Sequence, residues 1–211
     1  RMLHGLVGNA RWGGVKLADV LRAAGVRPDG REVVFFGRDS GTETIRRTEV
    51  EQRFARSLSL HDALNLNVML AFEMNGEPLP HAHGAPVRLI VPGWYGMNSI
   101  KWLVGIHVLD HTFDGFYQTD RYIRVNVPGA DSFYTYLTEM KVKSIITSPM
   151  PGEEVAPGDY MVSGAAWSGE EEIVRVEVSA DGGDTWHDAR VMLPENSYTW
   201  SRWEYLWHVP G

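Results

Sequence analysis

His81-Ala-His-Gly-Ala-Pro-Val-Arg-Leu-Ile-Val-Pro-Gly-Trp-Tyr-Gly-Met-Asn-Ser-Ile-Lys-Trp-Leu103 concentrates unusual chemistry in a short space. Its apolar run, Val87 to Val91, is clipped by Pro86 on one side and Pro92-Gly93 on the other, the pattern of a short buried strand between turns. The loop that follows, Pro92 to Lys101, offers Gly93 and Gly96 for tight backbone, Asn98 and Ser99 for hydrogen bonds, and the Lys101 ammonium. Small residues let backbone N–H groups converge on an oxygen, and a Lys supplies the countercharge, so this loop suits an anion. Arg88 adds a planar fork of donors that fits a phosphate or carboxylate at two points. Taken singly, each of these residues would also serve an ordinary strand and loop; the combination points to an anion site.

The stretch His83-Gly-x-Pro-Val-Arg-Leu-Ile-Val-Pro-Gly-x-x-Gly-x-x-Ser-Ile-Lys-Trp-Leu103 closely resembles the pterin-cradling segment of the sulfite oxidase family of molybdenum enzymes. Upstream, Ala71-Phe-Glu-Met-Asn-Gly-Glu-Pro-Leu-Pro80 resembles the same family's Ala-Tyr-Glu-Met-Asn-Gly-x-x-Leu-Pro. The N-terminal Val7-Gly-Asn-Ala-Arg-Trp-Gly-Gly-Val-Lys-Leu-Ala-Asp-Val-Leu21 is similar to the segment just downstream of the family's molybdenum-binding cysteine.

Composition sets the bounds. With 211 residues, 44% of them apolar and 22% charged, the chain has the make-up of a soluble globular protein with room for one large or two modest domains. No window approaches the roughly 20 apolar residues of a membrane span. A net charge of −7 argues against a general nucleic-acid binder, so any anion must be held by a local positive pocket. Absence of cysteine removes disulfides, zinc-thiolate sites, c-type haem attachment and a thiol nucleophile. Arg1-Met-Leu-His4 has neither the basic leader nor the apolar core of a signal peptide, and both ends read as cut.

Taken in order, a glycine-rich loop from His4 to Gly14 leads to a helix read from Leu17, Val20, Leu21 and Ala24, with Gly25 as its C-terminal cap. Val33-Val-Phe-Phe36 reads as a buried strand and Gly37-Arg-Asp-Ser-Gly41 as the turn leaving it. Asp39 in that turn could satisfy its own backbone or accept hydrogen bonds from a ligand, and the resemblance places a pterin-contacting Asp here. Leu58, Leu60 and Leu64 suggest a short helix or buried loop. Val68 to Met74 runs into Asn75-Gly76, a two-residue hairpin signal. His81 and His83, on one face of a strand, could ligate a metal, but no third ligand stands at a suitable spacing, and His107 with His111 meets the same objection. Trp102 to Leu109 reads as another buried strand; Phe113 to Arg124 is aromatic and cationic together, open to reading as a surface hairpin with stacked aromatics or as part of an anion site.

Residues 125–140 form a turn-rich connector and the expected domain boundary. From Lys143 the pattern becomes short strands at about ten-residue spacing, the signature of a β-sandwich. Val174, Val176 and Val178 alternate with Arg175 and Glu177, and Asp181-Gly-Gly183 turns the chain toward Thr185-Trp186. Ser179 to Trp186 matches the Asp-box of sialidase-like propellers, but one copy without repeats builds no propeller. Trp167-Ser-Gly169 with Val178 to Trp186 instead resembles the family's dimerisation domain, and Trp200, Trp203 and Trp207 read as core or interface packing.

The resemblance therefore implies an α+β protein. A mixed α/β molybdopterin-binding domain over residues 1–138 precedes a truncated, immunoglobulin-like β-sandwich dimerisation domain over residues 139–211. It implies a molybdenum-cofactor oxidoreductase that oxidises sulfite to sulfate by oxygen-atom transfer at an oxo-molybdenum centre, passing electrons to an external acceptor such as a cytochrome. By the same resemblance Asp39, His83, Arg88, Ser99, Ile100 and Lys101 hold the pyranopterin and its phosphate. Tyr122 lines the substrate pocket beside Asp120, although Arg121 intervenes where the animal enzymes have Asp directly before Tyr. No direct metal ligand is assigned, because the family's cysteine lies upstream of the segment that starts this chain; arginines that the family supplies to its site from upstream and from the far C-terminus are missing here too. The resemblance also suggests a homodimer, a periplasmic location and, from Gly93-Trp-Tyr-Gly96, a bacterial member. Nitrate reduction, sulfur-compound dehydrogenation, sulfoxide reduction and a non-catalytic dimerising relative stay open as alternatives.

Overall fold

The computed structural model describes residues 8–45, 47–125, 134–194 and 196–211. The start of the glycine-rich N-terminal loop and most of the expected connector, from Asn126 to Phe133, lie outside the described residues. Contacts divide the chain into two compact units, one spanning Ala10–Thr138 and the other Glu139–Gly211 together with Gly8 and Asn9.

In the first unit, β1 (Trp12–Lys16) runs directly into α1 (Leu17–Ala24), which turns Leu17, Ala18 and Leu21 inward and ends at Gly25 in the left-handed region. β2 (Glu32–Ile45) pairs antiparallel with β3 (Thr48–Ser59), and α2 (Leu60–Asn65) follows, its start capped by the Ser59 hydroxyl accepting from Asp62 N. β4 (Met69–Met74) and β5 (Glu77–Pro78) form the hairpin read from Asn75-Gly76, whose φ values of 57° and 84° are those a tight primed turn requires. β6 (Arg88–Ile90) joins the sheet β1-β4-β5 alongside β4, while β7 (Leu103–Leu109) completes a second sheet, β3-β2-β7. A single core is drawn from both sheets and both helices, with Leu17, Leu21, Val33, Phe35, Leu58, Ala63, Val68, Leu89, Val91, Trp94 and Ile100 buried in it. Beyond β7 come α3 (Phe116–Thr119) and the ribbon of β8 (Ile123–Val125) with β9 (Tyr134–Tyr136).

Four expectations are corrected here. Gly37 to Gly41 is not a turn: β2 continues to Ile45, and the pairing merely slips between Phe36 and Ser40, because a glycine-rich Asp-Ser segment suits a bulge as well as a turn. His81 and His83 lie on a single 3₁₀ turn, His81–His83, which Pro80 and Pro86 fence off from the sheet. β7 is a sheet edge: Val104 and His107 are exposed, Leu103, Ile106 and Val108 pack half-buried against the core, and none of its residues is fully buried. Phe113 to Arg124 makes a short helix and the start of β8, so the surface hairpin that stood as one of its two readings does not form.

The second unit holds a four-stranded sheet of β10 (Lys143–Ser148), β11 (Gly158–Trp167), β15 (Ser201–Val209) and β14 (Arg190–Met192), with a short ribbon of β12 (Glu177–Val178) and β13 (His187–Asp188). Its separate core gathers Val162, Ala166, Ile173, Val176, Val178 and Trp203. Trp203 is 2% exposed and donates its ring N–H to the Ser144 hydroxyl, so that the indole's polar end is satisfied. The expected alternation fails at one position. Val174 is exposed while Ile173 is buried, because the chain is irregular before β12.

Candidate functional site

Three consecutive carbonyls of the turn at His81–His83 each receive a donor from the stretch that follows it. The Trp102 indole N–H reaches His81 O at 2.9 Å, Lys101 Nζ reaches Ala82 O at 3.2 Å, and Arg88 Nη1 reaches His83 O at 2.9 Å. Arg88 Nη2 also donates to Ser99 O at 2.9 Å, so the guanidinium bridges the turn and the loop. Its Nε is buried without a hydrogen-bond partner among the described residues, and its carbon centre lies 4.8 Å from the Trp12 ring centroid. Burial holds the Arg88 pKa below the ordinary guanidinium value. The fork that the sequence offered to an anion is thus turned onto backbone oxygens.

Gly84 makes this close packing feasible. Its φ of 109° is accessible to few residues, and a Cβ there would lie 2.9 Å from Lys101 Cα. Trp102 adopts a left-handed φ of 48°, pinned by its N–H to Gly84 O and by Arg38 N–H donating to its carbonyl at 2.9 Å. A non-glycine residue held in that region persists only where its surroundings over-determine it. The bulge in β2 is adjacent: a Cβ on Gly37 would fall 2.4 Å from Asp39 Oδ1 and 3.2 Å from Lys101 O. Asp39, His83, Arg88, Ser99, Ile100 and Lys101 therefore form one contiguous region. Asp39 and His83 are exposed, Lys101 and Ser99 are half-buried, and Ile100 is buried with its carbonyl accepting from Leu89 N. Ser99 Oγ accepts from Val91 N at 3.0 Å, a bond that leaves its own proton unused.

An aromatic group adjoins this region. Tyr117 and Tyr122 stack with centroids 6.3 Å apart, and Phe54 packs against both rings. The Tyr117 hydroxyl donates to Glu43 Oε1 at 3.0 Å; burial, that hydrogen bond and the nearby charges of Glu43 and Asp39 hold its pKa up at about 12. Asp120 is exposed at the end of α3, accepting from the Thr119 hydroxyl at 2.9 Å.

Beneath the aromatic rings lies Arg56, which no motif or spacing singles out. It is 1% exposed. Nε and Nη2 both donate to Asn98 Oδ1, at 3.0 and 2.8 Å, Nη2 also reaches Leu137 O at 2.9 Å, and Nη1 donates to Tyr117 O. Its guanidinium centre stands 5.8 Å from the Tyr122 ring centroid. Burial pulls its pKa down to about 10, partly offset by Tyr122, and the group remains a cation at neutral pH. No signal in the local sequence marks it, since its partners lie 42, 61 and 81 residues further along.

Comparison with known proteins fits this geometry. The family described as oxidoreductase molybdopterin binding domain matches residues 1–117, and the Mo-co oxidoreductase dimerisation domain matches residues 134–209. The chain belongs to the sulfite oxidase family of molybdenum-cofactor oxidoreductases. Mitochondrial sulfite oxidase of Rattus norvegicus is 34% identical over 98% of the chain and 39% of its own length. Sulfite oxidase of Gallus gallus is 38% identical over 95% of the chain and 45% of its own length. The crystal structure of the sulfane dehydrogenase SoxCD from Paracoccus pantotrophus superposes with a TM-score of 0.81 at 32% identity, covering 95% of the chain and 48% of that protein. The chain thus spans less than half the length of these relatives. Among the described residues no helix is long and apolar enough to cross a membrane.

Proposed function

We propose that residues 10–138 hold a pyranopterin-bound molybdenum and its phosphate, within a homodimeric enzyme that oxidises sulfite to sulfate and passes the electrons to an external acceptor such as a cytochrome. The observation that carries this reading is the triple grip on the turn at His81–His83, with Ser99 and Asp39 beside it.

The residues present fit the group. Gly84 lets the turn lie on Lys101 where a side chain would clash, so the cradle is built from backbone and an ammonium. Lys101 has one of its three N–H bonds on Ala82 O and keeps the others for phosphate oxygens. Ser99 has its hydroxyl proton, His83 an exposed ring, and Asp39 a carboxylate for ring and amino N–H groups of a pterin. Arg88 acts through the turn, whose position it sets, and Ile100 acts through its buried backbone. When bound, the molybdenum cofactor supplies oxygen-atom transfer to the substrate sulfur and takes up two electrons. On the substrate side, Tyr122 presents a phenol to the anion, and Asp120 stands two residues before it. Residues 139–211 supply the self-contact that makes the dimer.

A second reading, dehydrogenation of sulfane sulfur, is favoured by the likeness to SoxCD. Full-length protein discriminates the two: molybdenum and pterin content are measured after purification, and reduction of an artificial acceptor is followed with sulfite and with a sulfane donor. Sulfite-dependent reduction with molybdenum near one per chain is expected. Arg88→Ala and Lys101→Ala should each lower the content at least about tenfold, as the loss of one charge-assisted contact implies. Protein that carries neither metal nor pterin would end this assignment.

A further inference from the structure

We infer that Arg56 is a positioning residue that locks Tyr122 to the loop bearing Ser99 and Lys101, and so sets the affinity of the site for its anionic substrate. The inference rests on the functional reading above and goes beyond it, since neither family resemblance nor local sequence marks Arg56.

One planar group reaches all three segments. Asn98 belongs to the loop leading to Ser99 and Lys101, Tyr117 O lies in α3 on the way to Tyr122, and Leu137 O lies just past β9. Leu137 N in turn donates to Tyr122 O at 3.1 Å, and Asn98 Nδ2 donates to Tyr95 O and Leu137 O. Removing the fork would leave the loop joined to the Leu137 segment by the neutral Asn98 amide and by Tyr95 N donating to Thr138 O, and that segment joined to Tyr122 by the Leu137 N bond and the β8–β9 pairing, with no charged group tying all three to β3. The guanidinium itself extends beneath the Tyr122 ring from the buried part of β3, a strand held by the pairing of Arg56 with Phe35. Position of the phenol is thereby referred to the sheet.

A purely stabilising role accounts for this poorly. A buried cation carries a desolvation cost that apolar side chains of similar volume avoid, so its contribution lies in fixing directions more than in stability. A Lys would keep the charge and lose the fork, because an ammonium cannot address three oxygens spread across one plane.

The test uses the full-length, cofactor-loaded protein with sulfite as substrate. Arg56→Lys should raise KM about tenfold, the effect of one misplaced charge-assisted contact, with kcat per molybdenum changed less than about threefold. In a Tyr122→Phe background the same change should raise KM less than about twofold, because the two residues act as one unit. Equal effects in the two backgrounds, or an unchanged KM, overturn the inference. Should Arg56→Lys fail to fold, Asn98→Ala, which removes the fork's shared acceptor and keeps the cation, takes its place with the same expected split. Hydrogen exchange gives a readout independent of turnover. Amides of residues 95–99, 117–122 and 137–138 should exchange faster together in the variant, whereas no change, or a uniform rise over residues 10–138, overturns the coupling. Absence of molybdenum or of sulfite turnover in the parent protein would sink the functional reading while the exchange measurement still decides the coupling.

Discussion

At the residue level, the cations of the site divide by what surrounds them. Arg88 and Lys101 were readable because they stand within a continuous family motif, but the sequence could not say that the Arg88 fork is used up on His83 and Ser99 carbonyls. Arg56 was invisible, for a lone arginine in the run Phe54-Ala-Arg-Ser-Leu58 looks like an exposed strand residue until distant segments fold over it. Tyr117 was equally unmarked, and its titration is testable. Its folded pKa of about 12 stands above the roughly 10 of a free phenol, so its contribution to stability is complete below about pH 10 and is lost as pH rises through about 12. Ultraviolet difference titration should show one late-ionising phenol that Tyr117→Phe removes. The variant should also lose less stability than the parent across that interval. A Tyr117→Phe titration curve that keeps the late step would assign it elsewhere.

Among the elements, those with strong local rules were readable and those set by competing pairings were not. The helix Leu17–Ala24 followed from apolar spacing and Gly25, and the Asn75-Gly76 hairpin from turn chemistry. The segment from Gly37 to Gly41 was misread because β3 continues to offer partners up to Ile45, and long-range pairing outweighs a local turn signal. The turn at His81–His83 was misread as strand because its shape depends on donors at positions 88, 101 and 102. Gly84→Ala tests that dependence. With φ at 109° and Lys101 Cα 2.9 Å from the added carbon, the substitution should cost about 2 kcal/mol or more, measured by denaturant unfolding, and should lower molybdenum content in step. In the second unit, the loop from Ser179 to Trp186 is organised by Asp181, whose carboxylate accepts from the Thr185 hydroxyl, Thr185 N and the Ser179 hydroxyl. Those bonds hold its pKa well below the usual carboxylate range. The contribution is therefore present above the roughly 3.9 of a free Asp and is lost as pH falls below it. An acid titration followed by the Thr185 amide resonance should show the loop holding well below about pH 4, and Asp181→Asn should show no such step.

For the whole molecule, a net charge of −7 gives the chain no general attraction for anions, so in the proposed function the anion is held locally, by Lys101 and the backbone that Arg88 and Arg56 position. The two units have separate cores. Among the described residues, none of those buried around Leu17, Phe35 and Ile100 comes from beyond Thr138, and none of those around Val162 and Trp203 comes from before Glu139. The second core was readable in outline from short strands and spaced tryptophans, whereas its irregular approach to β12, which turns Val174 outward, depends on packing that alternation does not encode. If self-association belongs to residues 139–211, removing everything after Thr138 from the full-length protein should leave the first core intact, because no buried member of it is deleted. Sedimentation velocity should then report a monomer in place of a dimer, with a cooperative melt preserved. A truncated protein that still sediments as a dimer would move the self-contact into the unit that carries the turn at His81–His83, and the dianion site would then have to be considered with its copy beside it.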